Sequence, residues 1–135
     1  MNLNSKIKII AINIFLFALL FGLVTLNKEI FRPIFGHISF LRIITGSFPN
    51  FIAAYIISLA FVNVVLIKGL KYGRYIVYIS SLAVFVILTL EELKPMWGAS
   101  TYYDSFDILA SGSGSLLSII TFELIVIKRK NKRDT

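Results

Sequence analysis

Four apolar blocks, at residues 9–26, 48–67, 75–90 and 108–127, fix the solvent in which this chain folds. At about 1.5 Å rise per residue, helices of these lengths reach ~24–30 Å, close to the ~30 Å hydrocarbon core of a bilayer. No block carries a Lys or Arg in its interior. The pattern predicts an all-α polytopic membrane protein, a four-transmembrane-helix bundle. A single transmembrane domain then covers residues 1–135 and ends in a basic tail at 128–135. The chain is 57% hydrophobic and only 16% charged, a balance that soluble domains of this size rarely show.

The charges are sided. Lys6 and Lys8 precede the first span, Lys68, Lys71 and Arg74 join spans two and three, and Lys128, Arg129, Lys130, Lys132 and Arg133 follow span four. In an even-numbered bundle these residues share one face. The other face receives Lys28, Arg32, Arg42 and Lys94 together with Glu29, Glu91, Glu92, Asp104 and Asp107. Lys and Arg are enriched in cytoplasmic loops, so both termini are expected in the cytoplasm. The formal charge of +7 does not indicate nucleic acid, because no groove-reading or base-stacking module accompanies it. The first block is read as a retained signal anchor, since Val24–Asn27 offers no small-x-small cleavage site.

Polar residues inside the blocks mark contacts. Asn13 can bond to a neighbouring helix, and Asn63 lies near the inner end of span two. Residues 28–47 are too long for a tight turn and too apolar for a solvated loop. Pro33 and Gly36 argue against one continuous helix there. Their mixture of aromatic and basic side chains predicts a short interfacial segment of one or two helices over the outer mouth. Pro49 is expected near the first position of the second span. Tyr72, Tyr75 and Tyr78, and after span three Trp97, Tyr102 and Tyr103, fit interfacial belts.

Candidate chemistry lies on the acidic face. Span three delivers Glu91 and Glu92, and span four begins beside Asp104 and Asp107. Carboxylates gathered at a low-dielectric boundary can share protons, bind a cation or act as acid and base. Asp104 and Asp107 also have the spacing of a helix N-terminal cap with favourable dipole placement. Arg42 or Arg32 can pair with these acids or hold a lipid phosphate. Glu123, near the far end of span four, can reach the headgroups. With no Cys and His37 as the single His, neither a thiolate nor a His-rich metal site is available, and no cofactor is indicated. The run from Ala110 to Ser115 lacks both a dinucleotide fingerprint and a nucleophile elbow, so no catalytic residue is assigned. Ala110, Gly114 and Ser118 instead recur every fourth residue, a face that lets two helix backbones approach closely.

Glu92 and the run Asp104-Ser-Phe-Asp107-Ile-Leu-Ala-Ser111-Gly-Ser-Gly114 resemble the signature of the VanZ-like family of small bacterial membrane proteins. In that pattern a Glu ends one helix, a Gln and an Arg follow, and D-x-x-D-x-x-x-N-x-x-G opens the next. Ser111 stands in place of the Asn, Thr101 where the Arg is expected, and Lys94 or Pro95 in place of the Gln. Gly46-Ser-Phe-Pro49-Asn50-Phe51 also looks like a helix opening of short VanZ-like chains. The resemblance implies a bacterial cytoplasmic membrane and an envelope role linked to lipoglycopeptide (teicoplanin-type) response. The expected function is non-enzymatic. Glu91, Glu92, Asp104, Asp107, Ser111 and Arg42 would contact a lipid-linked envelope component or an amphiphilic drug among the membrane lipids. Two alternatives stand beside it. One is a membrane-embedded enzyme using the same carboxylates on a lipid-linked substrate. The other is an accessory subunit whose Ser/Gly face meets a membrane-protein partner or a second copy.

Overall fold

The computed structural model describes residues 3–93 and 104–132. Helix α1 (Leu3–Leu26) passes without a break through a π-helical turn (Asn27–Phe31) into the short α2 (Arg32–Phe35). Then follow α3 (Ser39–Lys68), α4 (Gly73–Leu93) and α5 (Ser105–Asn131). Four stretches are long and apolar enough to cross a membrane: Leu3–Phe35, Ser39–Lys68, Gly73–Leu93 and Ser105–Asn131. The chain is thus an all-α, multi-pass four-helix bundle, with no strand among the described residues.

Helix α3 is the axis of the bundle and packs against α1, α4 and α5. Helix α1 contains no buried residue, and its side chains Ile7, Ile14, Phe15 and Phe21 are exposed. In water such a surface would be untenable; in a bilayer it meets acyl chains as apolar as itself. The interior combines small residues with branched aliphatic ones such as Ile56, Val62 and Val77. Ala54, Ser58, Ser81 and Ser118 are fully buried, and the hydroxyls of Ser81 and Ser118 lie 3.0 Å apart between α4 and α5. Tyr55 and Thr121 pair their hydroxyls at 3.3 Å between α3 and α5. Near the ends that carry the termini, Val62, Val65, Val77 and Phe122 form an apolar cluster.

Asn63 Nδ2 donates to Asn13 Oδ1 at 2.8 Å and ties α3 to α1. Interhelical bonds of this kind contribute about 0.6 kcal/mol in membranes. Asn63→Leu is therefore expected to lower unfolding free energy in mixed micelles by about that amount. A loss above about 2 kcal/mol would show that the asparagine pair does more than join two helices.

Residues 28–47 are mostly helical: α2 is a short helix before the turn at Gly36, His37 and Ile38, and the rest continues the first two long helices. Pro33 does not interrupt the first helix, because it stands in the first turn of α2, directly after the π turn. There the Arg32 N–H bonds to the Asn27 carbonyl, five residues back, and a missing N–H at the next position is least costly. The chain reverses at Gly36, whose N–H bonds to the Arg32 carbonyl at 2.9 Å.

Pro49 is likewise not a helix start. It lies inside α3, which begins ten residues earlier at Ser39. A proline inside a helix removes the donor for the carbonyl four residues back, here that of Thr45. That carbonyl finds partners from the first helix. Asn27 Nδ2 donates to Thr45 O at 2.8 Å and Arg32 Nε at 3.3 Å, while Arg32 Nη2 reaches Gly46 O at 3.0 Å. Asn27 is fully buried. An unpaired backbone carbonyl in hydrocarbon costs several kcal/mol, so this polar clasp lets α3 run through Pro49. Arg32 takes part in this clasp and forms no ion pair with the acids among the described residues.

At the other end, α3 closes on Gly69, whose left-handed backbone (φ 61°) lets its N–H bond to Val65 O at 3.0 Å. Glu123 is partly buried and bridges two helices. Arg74 Nη2 lies 2.9 Å from one of its oxygens, and Tyr78 Oη donates to the other at 2.8 Å, so both bonds join α4 to α5.

Candidate functional site

The end of the bundle opposite the termini gathers three features: the end of α4, the start of α5, and a groove between α3 and α5. Asp104 is the N-cap of α5, and its Oδ1 accepts from the Phe106 N–H at 2.9 Å. This cap satisfies one of the free donors of the first turn and places negative charge at the positive end of the helix. Asp104 N donates to Glu92 Oε1 at 3.3 Å, so the last turn of α4 is tied directly to the opening of α5.

Asp107 follows in the first turn of α5. Its carbonyl accepts from Ser111 Oγ at 3.0 Å, and Ser111 is buried. Asp107 Oδ1 is buried and has no hydrogen-bond partner among the described residues. Glu92, Asp104 and Asp107 therefore share one corner, where their charges act on one another. Glu91, the neighbouring residue on α4, is half-buried. Arg42 lies on the exposed side of α3 and forms no ion pair among the described residues, so it does not join the acids. No three of His, Cys, Asp and Glu among the described residues come together as a metal site. The positions Lys94, Pro95 and Thr101, and the aromatic residues Trp97, Tyr102 and Tyr103, lie outside the described residues.

The helix-packing residues set the shape of the groove. A Cβ on Gly114 would overlap the Phe51 carbonyl oxygen and lie 3.0 Å from both Ala54 Cβ and the Tyr55 nitrogen. Glycine at this position lets α3 and α5 touch backbone to backbone. Ser118, one turn further, faces Ser81 of α4. The Ser/Gly face of the last span is thus occupied by the chain's own α3 and α4. Beyond the Gly114 contact, toward the acidic end, the two helices leave a groove of about 390 Å³. Ile43, Ile44, Ser47, Phe48 and Phe51 line it from α3, and Phe106, Ala110 and Ser113 from α5.

In comparisons with known proteins, no family model, no curated protein and no solved structure matches this chain.

A second apolar cavity of about 230 Å³ lies on the other side of Ile44 and Phe48, bounded by Phe31, Phe35, Leu41 and the Asn27–Thr45 clasp. Neither cavity stands out in the linear sequence: the groove is walled by residues 43–51 and a helix more than 50 positions later, and the second cavity by the two helices on either side of the turn at Gly36. The available signal was compositional: aromatic and β-branched residues crowd residues 30–51, more than a lipid-facing helix stripe needs. Chemically, the acidic corner offers acceptors for hydrogen-bond-donating or cationic groups, and the groove offers room for an apolar chain.

Proposed function

We propose that this protein is a non-enzymatic component of a bacterial cytoplasmic membrane that holds an amphiphile at its acidic end. The observation that carries this reading is the apolar α3–α5 groove, which opens at the same end as the Glu92–Asp104 corner. The amphiphile's chain lies along Phe48, Phe51 and Ala110. Its headgroup donates hydrogen bonds to Glu92, Asp104 and Asp107, and the exposed Arg42 of α3 is a contact for a phosphate.

The charge sidedness supports an orientation with both termini in the cytoplasm and the groove facing outward. The resemblance of Glu92 and the Asp104-to-Gly114 run to the VanZ-like pattern supports an envelope setting. In that setting the ligand is a lipid-linked envelope component, and lipoglycopeptides of the teicoplanin type, themselves amphiphiles, compete for or sense the same groove.

Deletion of the gene is expected to change susceptibility to lipid-targeting glycopeptides, and Ala110→Trp, which fills the groove, is expected to reproduce the deletion. Leu124→Trp, on the exposed side of α5, is expected to behave as wild type. Unchanged susceptibility after deletion would remove the envelope-response part of this proposal. Wild-type behaviour of Ala110→Trp beside a changed deletion strain would remove the groove from it.

A further inference from the structure

A third cleft lies at the opposite end of the bundle, where α3 ends, α4 begins and α5 runs out of the apolar region. Its volume is about 560 Å³, within the ~300–1,000 Å³ of ordinary small-molecule sites. The floor is apolar and includes Val65, Phe122 and Val126, with Val65 and Phe122 buried. Its rim carries Lys71, Arg74, Arg129 and Lys130, and no acidic residue among the described residues lines it. Arg74 is engaged with Glu123. Arg129 Nη1 donates to the Leu66 carbonyl at 3.2 Å, which anchors its guanidinium at the cleft wall with further N–H groups left to offer.

We propose that this cleft binds the phosphate headgroup of an anionic diacyl phospholipid. The argument is one of complementarity. A bare phosphate would need the cations but not the apolar floor, and a zwitterionic lipid would need the floor but gain little from the cations. A lipid with net negative charge uses both: its phosphate meets Arg129, Lys130 and Lys71, and the first carbons of its chains lie over Phe122 and Val126. The cleft also sits at the right depth, at the ends of three membrane-length helices, where headgroups meet hydrocarbon. This site is separate from the α3–α5 groove, and its test does not depend on that proposal.

The full chain, purified in detergent and offered equal amounts of phosphatidylglycerol and phosphatidylcholine, is expected to retain phosphatidylglycerol preferentially by mass spectrometry of the bound lipid. Each basic residue near an anionic lipid is worth roughly five-fold in association. Combining Arg129→Gln with Lys130→Gln should therefore lower the retained ratio by more than roughly five-fold. Combining Lys6→Gln with Lys8→Gln removes the same charge from the same end, outside the cleft, and should leave the ratio unchanged. Val126→Trp, which fills the floor and alters no charge, should also lower it. Each variant is compared only after it elutes as the wild-type species on gel filtration. Lys71→Gln, an exposed single change, provides the rim test if the double variant does not fold. Inorganic phosphate should not displace the lipid; displacement would assign the cleft to free phosphate and overturn the proposal. An equal loss from both charge pairs, or no preference in the wild type, would also overturn it.

Discussion

Gly114→Leu is expected to prevent the bundle from closing. A Cβ at this position overlaps the Phe51 carbonyl oxygen, so the obstacle is backbone and cannot rotate away as a side chain would. The helices must separate, and the separation opens the contact with Ala54, which is now fully buried. Overpacking a well-packed interior costs about 1–3 kcal/mol, occasionally more. With backbone as the opposing surface, the loss here falls at or above the top of that range. Gly22→Leu is the matched control: nothing lies within 4 Å of a Cβ there, and the new side chain meets lipid. Thermal unfolding in detergent should show Gly22→Leu near wild type and Gly114→Leu unfolded or strongly lowered. Equal stability of the two variants would mean that α3 and α5 do not cross at Gly114.

The second large effect belongs to the clasp around Pro49. Asn27→Leu removes the 2.8 Å donor from the Thr45 carbonyl and leaves it only the longer Arg32 bond. Depriving a buried polar group of its partner costs about 1–3 kcal/mol. Pro49→Ala restores a backbone N–H that can serve the same carbonyl. In that background Asn27→Leu should cost less, and the double-mutant cycle should show a favourable coupling above ~0.5 kcal/mol. Strictly additive losses would show that Asn27 stabilises the first helix for some reason other than the gap left by the proline.

This clasp marks where the sequence stopped being legible. The four spans could be read from hydropathy because lipid demands long apolar runs, and a bond from Asn13 to a neighbouring helix from its place inside the first run; that Asn63 is the partner is visible only in the structure. The spacing of Ala110, Gly114 and Ser118 announced a close crossing, since few other reasons place small residues every fourth position in an apolar helix. Pro49 reads as a helix start because proline suits one, and position rules alone do not reveal a compensating donor on another helix. Asn27 lies 22 residues before Pro49, at the end of an apolar run, where polarity looks like the approach to water. Its partner is the carbonyl four residues before the proline, and only the antiparallel arrangement of the first two helices brings them together. In residues 28–47 the two breakers act differently: Gly36 ends the helix and turns the chain, whereas Pro33 is accommodated locally by the π turn before it.

The acidic corner was partly legible. The spacing of Asp104 and Asp107 announced a helix cap, and Asp104 is one. The bond from Asp104 N to Glu92 depends on how α4 and α5 are joined, and the groove on how α3 and α5 diverge beyond Gly114. Neither is encoded in a local pattern.

The most direct measurement maps where an amphiphile binds. A photoreactive lipid-linked sugar, irradiated with the protein in native membranes, should label peptides containing residues 43–51 and 106–113. Labelling there should disappear in Ala110→Trp and persist in Leu124→Trp, and a chain-matched alcohol without the headgroup should label more weakly. Label spread evenly along the exposed face of α1, and unchanged by Ala110→Trp, would contradict the account: the groove would then be no more than part of the lipid-facing surface.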